Sequence, residues 1–111
     1  MKELTKAEEL LLLTIWRLKD NAYGVAIKRE IDEKTGKALK YGTLYFILDQ
    51  LANKELVFRE KGEPTPERGG KSKIYYRLTE TGFKALEESL EMQKKVWEGF
   101  KGLSYGDLTG K

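Results

Sequence analysis

Two short stretches of this chain concentrate groups that bind phosphates and meet hydrogen-bonding edges. The first, Lys40-Tyr41-Gly42-Thr43-Leu44-Tyr45, holds one cation, three hydroxyl-bearing side chains and a glycine. Lys40 can neutralise a phosphate, Thr43 and Tyr45 can donate hydroxyl hydrogen bonds, and Gly42 leaves space where a Cβ would stand. The second, Arg68-Gly69-Gly70-Lys71-Ser72-Lys73, sets three cations on a backbone loosened by two glycines. Each cation that meets a phosphate releases condensed counterions. Plainer readings stand beside these: Gly42 as a turn glycine with Tyr45 packed flat against the second stretch, and that stretch as a solvated loop, half of whose charge Glu63 and Glu67 offset.

Other chemistry is poorly served. The chain has no cysteine and no histidine, which removes disulfides, thiol nucleophiles, imidazole bases and the usual zinc ligands together. No acidic cluster sits beside a glycine-rich phosphate loop. An enzyme, a metal centre or a cofactor is therefore not expected. The net charge is only +3, so its distribution matters more than its size. Residues 1–20 sum to zero, residues 21–78 to +4 and residues 79–111 to −1. A polyanion would meet the middle of the chain first.

The elements that must position these stretches can be read from punctuation and period. Thr5-Lys6-Ala7-Glu8 is a capping box that opens a helix running to about Lys19. Leu11, Ile15 and Leu18 form one apolar stripe on it; Leu12 and Trp16 form a second, roughly 100° away. Asn21 is placed to cap a second helix from about Ala22 to Lys34, with Tyr23, Ile27 and Ile31 on one side and Thr35-Gly36 as its stop. A third helix spans about Tyr41 to Asn53, with Leu44, Ile47, Leu48 and Leu51 facing inward.

The period then changes from 3.6 to 2. Leu56 and Phe58 alternate with Val57 and Arg59, and Ile74, Tyr76 and Leu78 alternate with Tyr75 and Arg77, as in a half-buried hairpin. One of Tyr75 and Tyr76 then belongs to the core and the other to the surface. Two prolines and three glycines between the strands forbid regular structure there. A final helix starts at Thr79. Phe83, Leu90 and Trp97 recur at seven, as do Leu86, Gln93 and Phe100, which makes a heptad seam with one polar interruption at Gln93.

That order of elements is a mainly α chain with one small β-hairpin (α+β): a winged helix-turn-helix over 5–78 followed by a long C-terminal helix over 79–103. Residues 104–111 are expected to fray. The longest apolar run, Leu10 to Leu13, is far short of the ~20 residues needed to cross a bilayer, and no signal peptide opens the chain. A cytoplasmic protein without membrane contact is expected.

A lone domain of this size leaves no core for the terminal seam or for the second stripe of the first helix. Pairing Phe83, Leu86, Leu90, Gln93, Trp97 and Phe100 with Leu12 and Trp16 across two copies would bury both, so a homodimer is expected. A gap in that seam would be lined by Trp16, Trp97 and Phe100, which could stack on a small aromatic effector.

Several of these segments together resemble the PadR-like transcriptional regulators. They are Tyr23-Gly24; Lys40 to Tyr45 with the spacing to Leu48 and Leu51; Gly69-Gly70-Lys71-Ser72-Lys73-Ile74-Tyr75-Tyr76; and Arg77-Leu78-Thr79-Glu80-Thr81-Gly82. The resemblance covers roughly residues 10–90 and points to the subgroup with a single C-terminal dimerisation helix. It implies a homodimeric repressor bound to a palindromic site in double-stranded DNA. The helix opening at Tyr41-Gly42-Thr43 would read the major groove, and the Gly69–Lys73 wing would reach the neighbouring backbone or minor groove. The sequence departs from the pattern at Phe46, where a small residue or proline is usual, and at Gln93, near an aromatic position of drug-binding members. A winged-helix scaffold for protein contacts, without specific DNA binding, is the alternative in another class.

Overall fold

The computed structural model describes residues 3–64, 69 and 72–100. Helix α1, Lys6–Leu18, starts on the capping box: the Thr5 hydroxyl accepts from the Glu8 amide and the Glu8 carboxylate from the Thr5 amide, both at 3.0 Å. It packs against every other helix and the second strand, which makes it the centre of the molecule. That position corrects one expectation. Leu12 has no exposed surface and lies in this chain's own core beside Leu11 and Ile15, so it has no area left to give a second copy. Trp16, four residues on, is half exposed.

A 3-10 turn, Lys19–Asn21, leads to α2, Gly24–Thr35. Asn21 is not the cap of α2; Tyr23 is, without a side-chain hydrogen bond. The backbone before α2 is used otherwise. The Ala22 carbonyl accepts from the Tyr76 amide at 2.8 Å, and Tyr23 bridges Tyr75 in antiparallel fashion. Residues 22–23 thus lie alongside the hairpin, and the helix begins two residues later than the sequence suggests. Ile27 and Ile31 are buried, and Gly36 closes the helix in the left-handed conformation at φ 72°.

Helix α3, Tyr41–Asn53, has the expected bounds and buries Leu44, Ile47, Leu48 and Leu51. Strands β1, Val57–Lys61, and β2, Ile74–Leu78, pair antiparallel with Arg59 opposite Tyr76. Val57 and Tyr76 point into the core. Phe58 is exposed, contrary to its alternation with Leu56, because Leu56 precedes the strand in a turn and does not share its pleat.

Helix α4, Glu80–Val96, opens on Thr79, whose hydroxyl accepts from the Gly82 amide at 2.9 Å and donates to the Glu55 carbonyl at 2.7 Å. Gly82 is needed for this close approach: a Cβ there would stand 2.1 Å from the Leu56 carbonyl oxygen. The helix is shorter than the heptad pattern suggests. Trp97 is its C-cap and Phe100 lies in the following turn, where its amide donates to the Trp97 carbonyl. Leu86 is buried against the chain's own core, a second correction to the proposed seam. Among the described residues the architecture is a winged helix with one trailing helix.

Candidate nucleic-acid interface

The turn between α2 and α3 is fixed by Asp32. One carboxylate oxygen accepts from the Leu39 amide at 2.8 Å, the other from the Lys28 ammonium at 2.5 Å. The Leu39 amide first, and Lys28 second, hold the Asp32 carboxyl below its ordinary range. Lys28 also sits 5.4 Å from the centre of the Tyr41 ring. One carboxylate therefore sets where the exposed Lys40 delivers the chain into α3. Nothing in its spacing, a lone Asp in a helix, marks it for that role in the sequence.

At the head of α3, Lys40 occupies the N-cap without a side-chain bond to the first amides. The start of the helix keeps its positive end open to an anion. Gly42 and Thr43 are exposed, and a Cβ on Gly42 would meet nothing within 4 Å. Internal packing therefore does not explain the glycine. Tyr41 and Tyr45 stack with ring centres 6.3 Å apart. Tyr45 also leans over Gly24, so closely that a Cβ there would lie 2.0 Å from its hydroxyl. The side chain is half exposed and also lines a cleft with Lys73 and Tyr76 of the hairpin. Gly24 was legible only as half of Tyr23-Gly24; its partner was not.

The wing flanks this face. Lys73 places its ammonium 4.0 Å from the centre of the Tyr23 ring, and Tyr23 meets Tyr75 edge-on at 5.7 Å. Tyr23, Gly24, Tyr45, Ser72 and Lys73 line a small cleft between α2, α3 and the hairpin. Arg59 of β1 reaches across to Asp49 of α3 at 2.5 Å, pairing the one acidic group in the middle of α3. Lys40, Tyr41, Gly42, Thr43 and Tyr45 are thus brought together with Lys73 on one side of the molecule. Gly69 is described, with φ 63°, whereas Arg68, Gly70 and Lys71 lie outside the described residues.

The proposed subunit contacts are divided. Leu12 and Leu86 belong to the core, while Phe83, Leu90, Trp97, Phe100 and Trp16 are exposed, and so is Val96, which the heptad reading passed over. Gln93 turns inward instead: with Ser89 it donates to the Glu9 carboxylate, tying α4 to α1. Of the three aromatic residues named for an effector, Trp97 and Phe100 pair edge-on at 5.4 Å, while Trp16 is covered by the Lys19 ammonium at 4.8 Å. Among the described residues no group of three or more acidic side chains could hold a metal ion, and no helix is long and apolar enough to cross a membrane.

Comparison with known proteins meets the same arrangement. H. salinarum RosR is 34% identical, with a TM-score of 0.68 over 88% of this chain and 81% of that one. A PadR-like transcription factor from Bacteroides fragilis is 28% identical, with a TM-score of 0.71 over 88% and 89%. A PadR family transcriptional regulator from Eggerthella lenta is 26% identical, with a TM-score of 0.66 over 85% and 80%. No match is found among curated proteins. The sequence matches the transcriptional regulator PadR-like family over residues 12–88, and with these structural relatives that match makes the chain a member of the PadR-like family of transcriptional regulators.

Proposed function

We propose that this protein binds duplex DNA as a homodimer and represses transcription from a palindromic operator. The observation that carries this reading is the outward face of α3. It is exposed, its glycine is not required by the fold, its N-terminal amides carry no side-chain cap, and cations of the turn and the wing flank it. Helix α3 enters the major groove, Lys40 and the wing contact phosphates, and Thr43 donates to a phosphate or base edge. The second copy covers Phe83, Leu90, Val96 and Trp97, large apolar side chains that α4 leaves in water. An aromatic effector, where one acts, stacks on the Trp97–Phe100 pair at that seam.

Selection of bound duplexes from a random pool tests the reading. The expected product is an inverted repeat with half-sites about 34 Å apart, bound with an affinity that falls steeply with salt. Absence of enrichment, together with salt-independent or no binding, would overturn it in favour of a protein-interaction scaffold.

A further inference from the structure

Phe46 is the residue of α3 whose placement the fold does not account for. Leu44, Ile47, Leu48 and Leu51 fill the core, yet Phe46 is 63% exposed, the most exposed large apolar side chain between Leu4 and Leu90. At 100° per residue, Gly42, Phe46, Asp49, Gln50 and Asn53 share one arc of the helix, with Phe46 near its middle. Gly42, one turn earlier, has open space at its Cβ position, so a flat object can settle onto the ring from that side. Asp49, on the other side, is paired to Arg59 at 2.5 Å and presents little net charge. Lys40 stands at the head of the helix, and Lys73 borders the cleft that Tyr45 lines on the same helix.

The surface is therefore an apolar centre between cationic edges. Its complement is a polyanion with an apolar group recessed between two anionic rails. The major groove of DNA answers that description: among the groups on its floor, the C5-methyl of thymine is the apolar one. We propose that Phe46 reads a thymine C5-methyl group and so sets sequence preference at one position of each half-site. This rests on the reading of α3 as the DNA-binding helix and adds the chemistry it recognises. An acidic protein partner offers anionic edges too, but no apolar group at fixed depth between them.

Uracil lacks only that methyl, which makes the test direct. Each thymine of the selected operator is replaced by uracil in turn, and binding of wild-type protein and Phe46→Ala is measured by fluorescence anisotropy. Uracil at one symmetric pair of positions should weaken wild-type binding about fourfold per half-site, the value of one buried methyl. Phe46→Ala should bind thymine and uracil versions equally. Because the side chain is exposed, the variant should melt at the wild-type temperature. Wild-type binding indifferent to uracil everywhere would overturn this inference alone. Failure to bind any duplex would overturn the DNA reading with it. A change of oligomeric state in Phe46→Ala would assign the ring to a protein contact instead.

Discussion

Glu8 and Lys54 meet with their carboxylate and ammonium 2.5 Å apart, joining the first turn of α1 to the C-cap of α3. The Glu8 side chain is almost wholly buried, whereas Lys54 keeps two-fifths of its surface in water. Burial pushes the Glu8 carboxyl up, but the Lys54 ammonium and the amide and hydroxyl of Thr5 outweigh it, leaving Glu8 below its ordinary 4.5. One side chain thus closes a helix cap and anchors the end of α3.

Stability should carry the signature of that pair. A carboxyl whose folded pKa lies below the unfolded one stabilises the fold above the unfolded value, and the gain disappears as pH falls through the folded value. Glu8→Gln should cost about 1.5–3 kcal/mol at neutral pH. The difference between wild type and variant should shrink as the pH is taken below about 4.5. Urea melts at a series of pH values check this; a difference that stays constant into acid would refute the linkage.

Three glycines should respond to alanine in three ways. Gly82→Ala drives a Cβ into the Leu56 carbonyl, a backbone atom, and should cost on the order of 3 kcal/mol. Gly24→Ala displaces the outer end of the Tyr45 ring with its hydroxyl, part of a side chain that can swing, and should cost less stability than Gly82→Ala. Gly42→Ala meets nothing and should leave the melt unchanged or raised by up to about 0.5–1 kcal/mol, yet weaken duplex binding. Thermal melts beside anisotropy separate the three.

Charging the exposed α4 surface should dissociate the proposed homodimer. Leu90→Glu with Trp97→Glu removes two exposed apolar side chains without touching the core, so helical content should persist while light scattering reports a monomer. A stable dimer in that variant would place the interface elsewhere.

Neutralising Lys71 and Lys73 should lower affinity for every duplex by a similar factor. A lysine acts as a point charge rather than a bidentate base reader, so the log–log salt dependence should become shallower by roughly two units. Lys73 leans on Tyr23 in the free protein, and a slope change near one unit would mean that it stays there on DNA.

Much of this molecule was legible in its sequence, where local rules decide. The Thr5–Glu8 capping box, the bounds of α3 and its four inward residues follow from spacing alone. What failed depended on neighbours distant in the chain. Leu12 and Trp16 share a stripe, but only the central position of α1 shows that Leu12 is covered within the chain and Trp16 is not. Asn21 has the chemistry of a cap, yet the hairpin recruits the backbone that follows it. Asp32 and Lys54 act through partners 7 and 46 residues away, and Gly82 through the carbonyl of Leu56. No periodicity carries such pairings.

Glu8 and Glu9 are consecutive, so their side chains leave α1 in different directions. Glu8 holds Lys54 at the end of α3, and Glu9 holds Ser89 and Gln93 on α4. One turn of helix is thereby a coupler with a carboxylate clamp on each side. The trailing helix and the helix with the open N-terminus are thus both tied by side chains to one turn of α1.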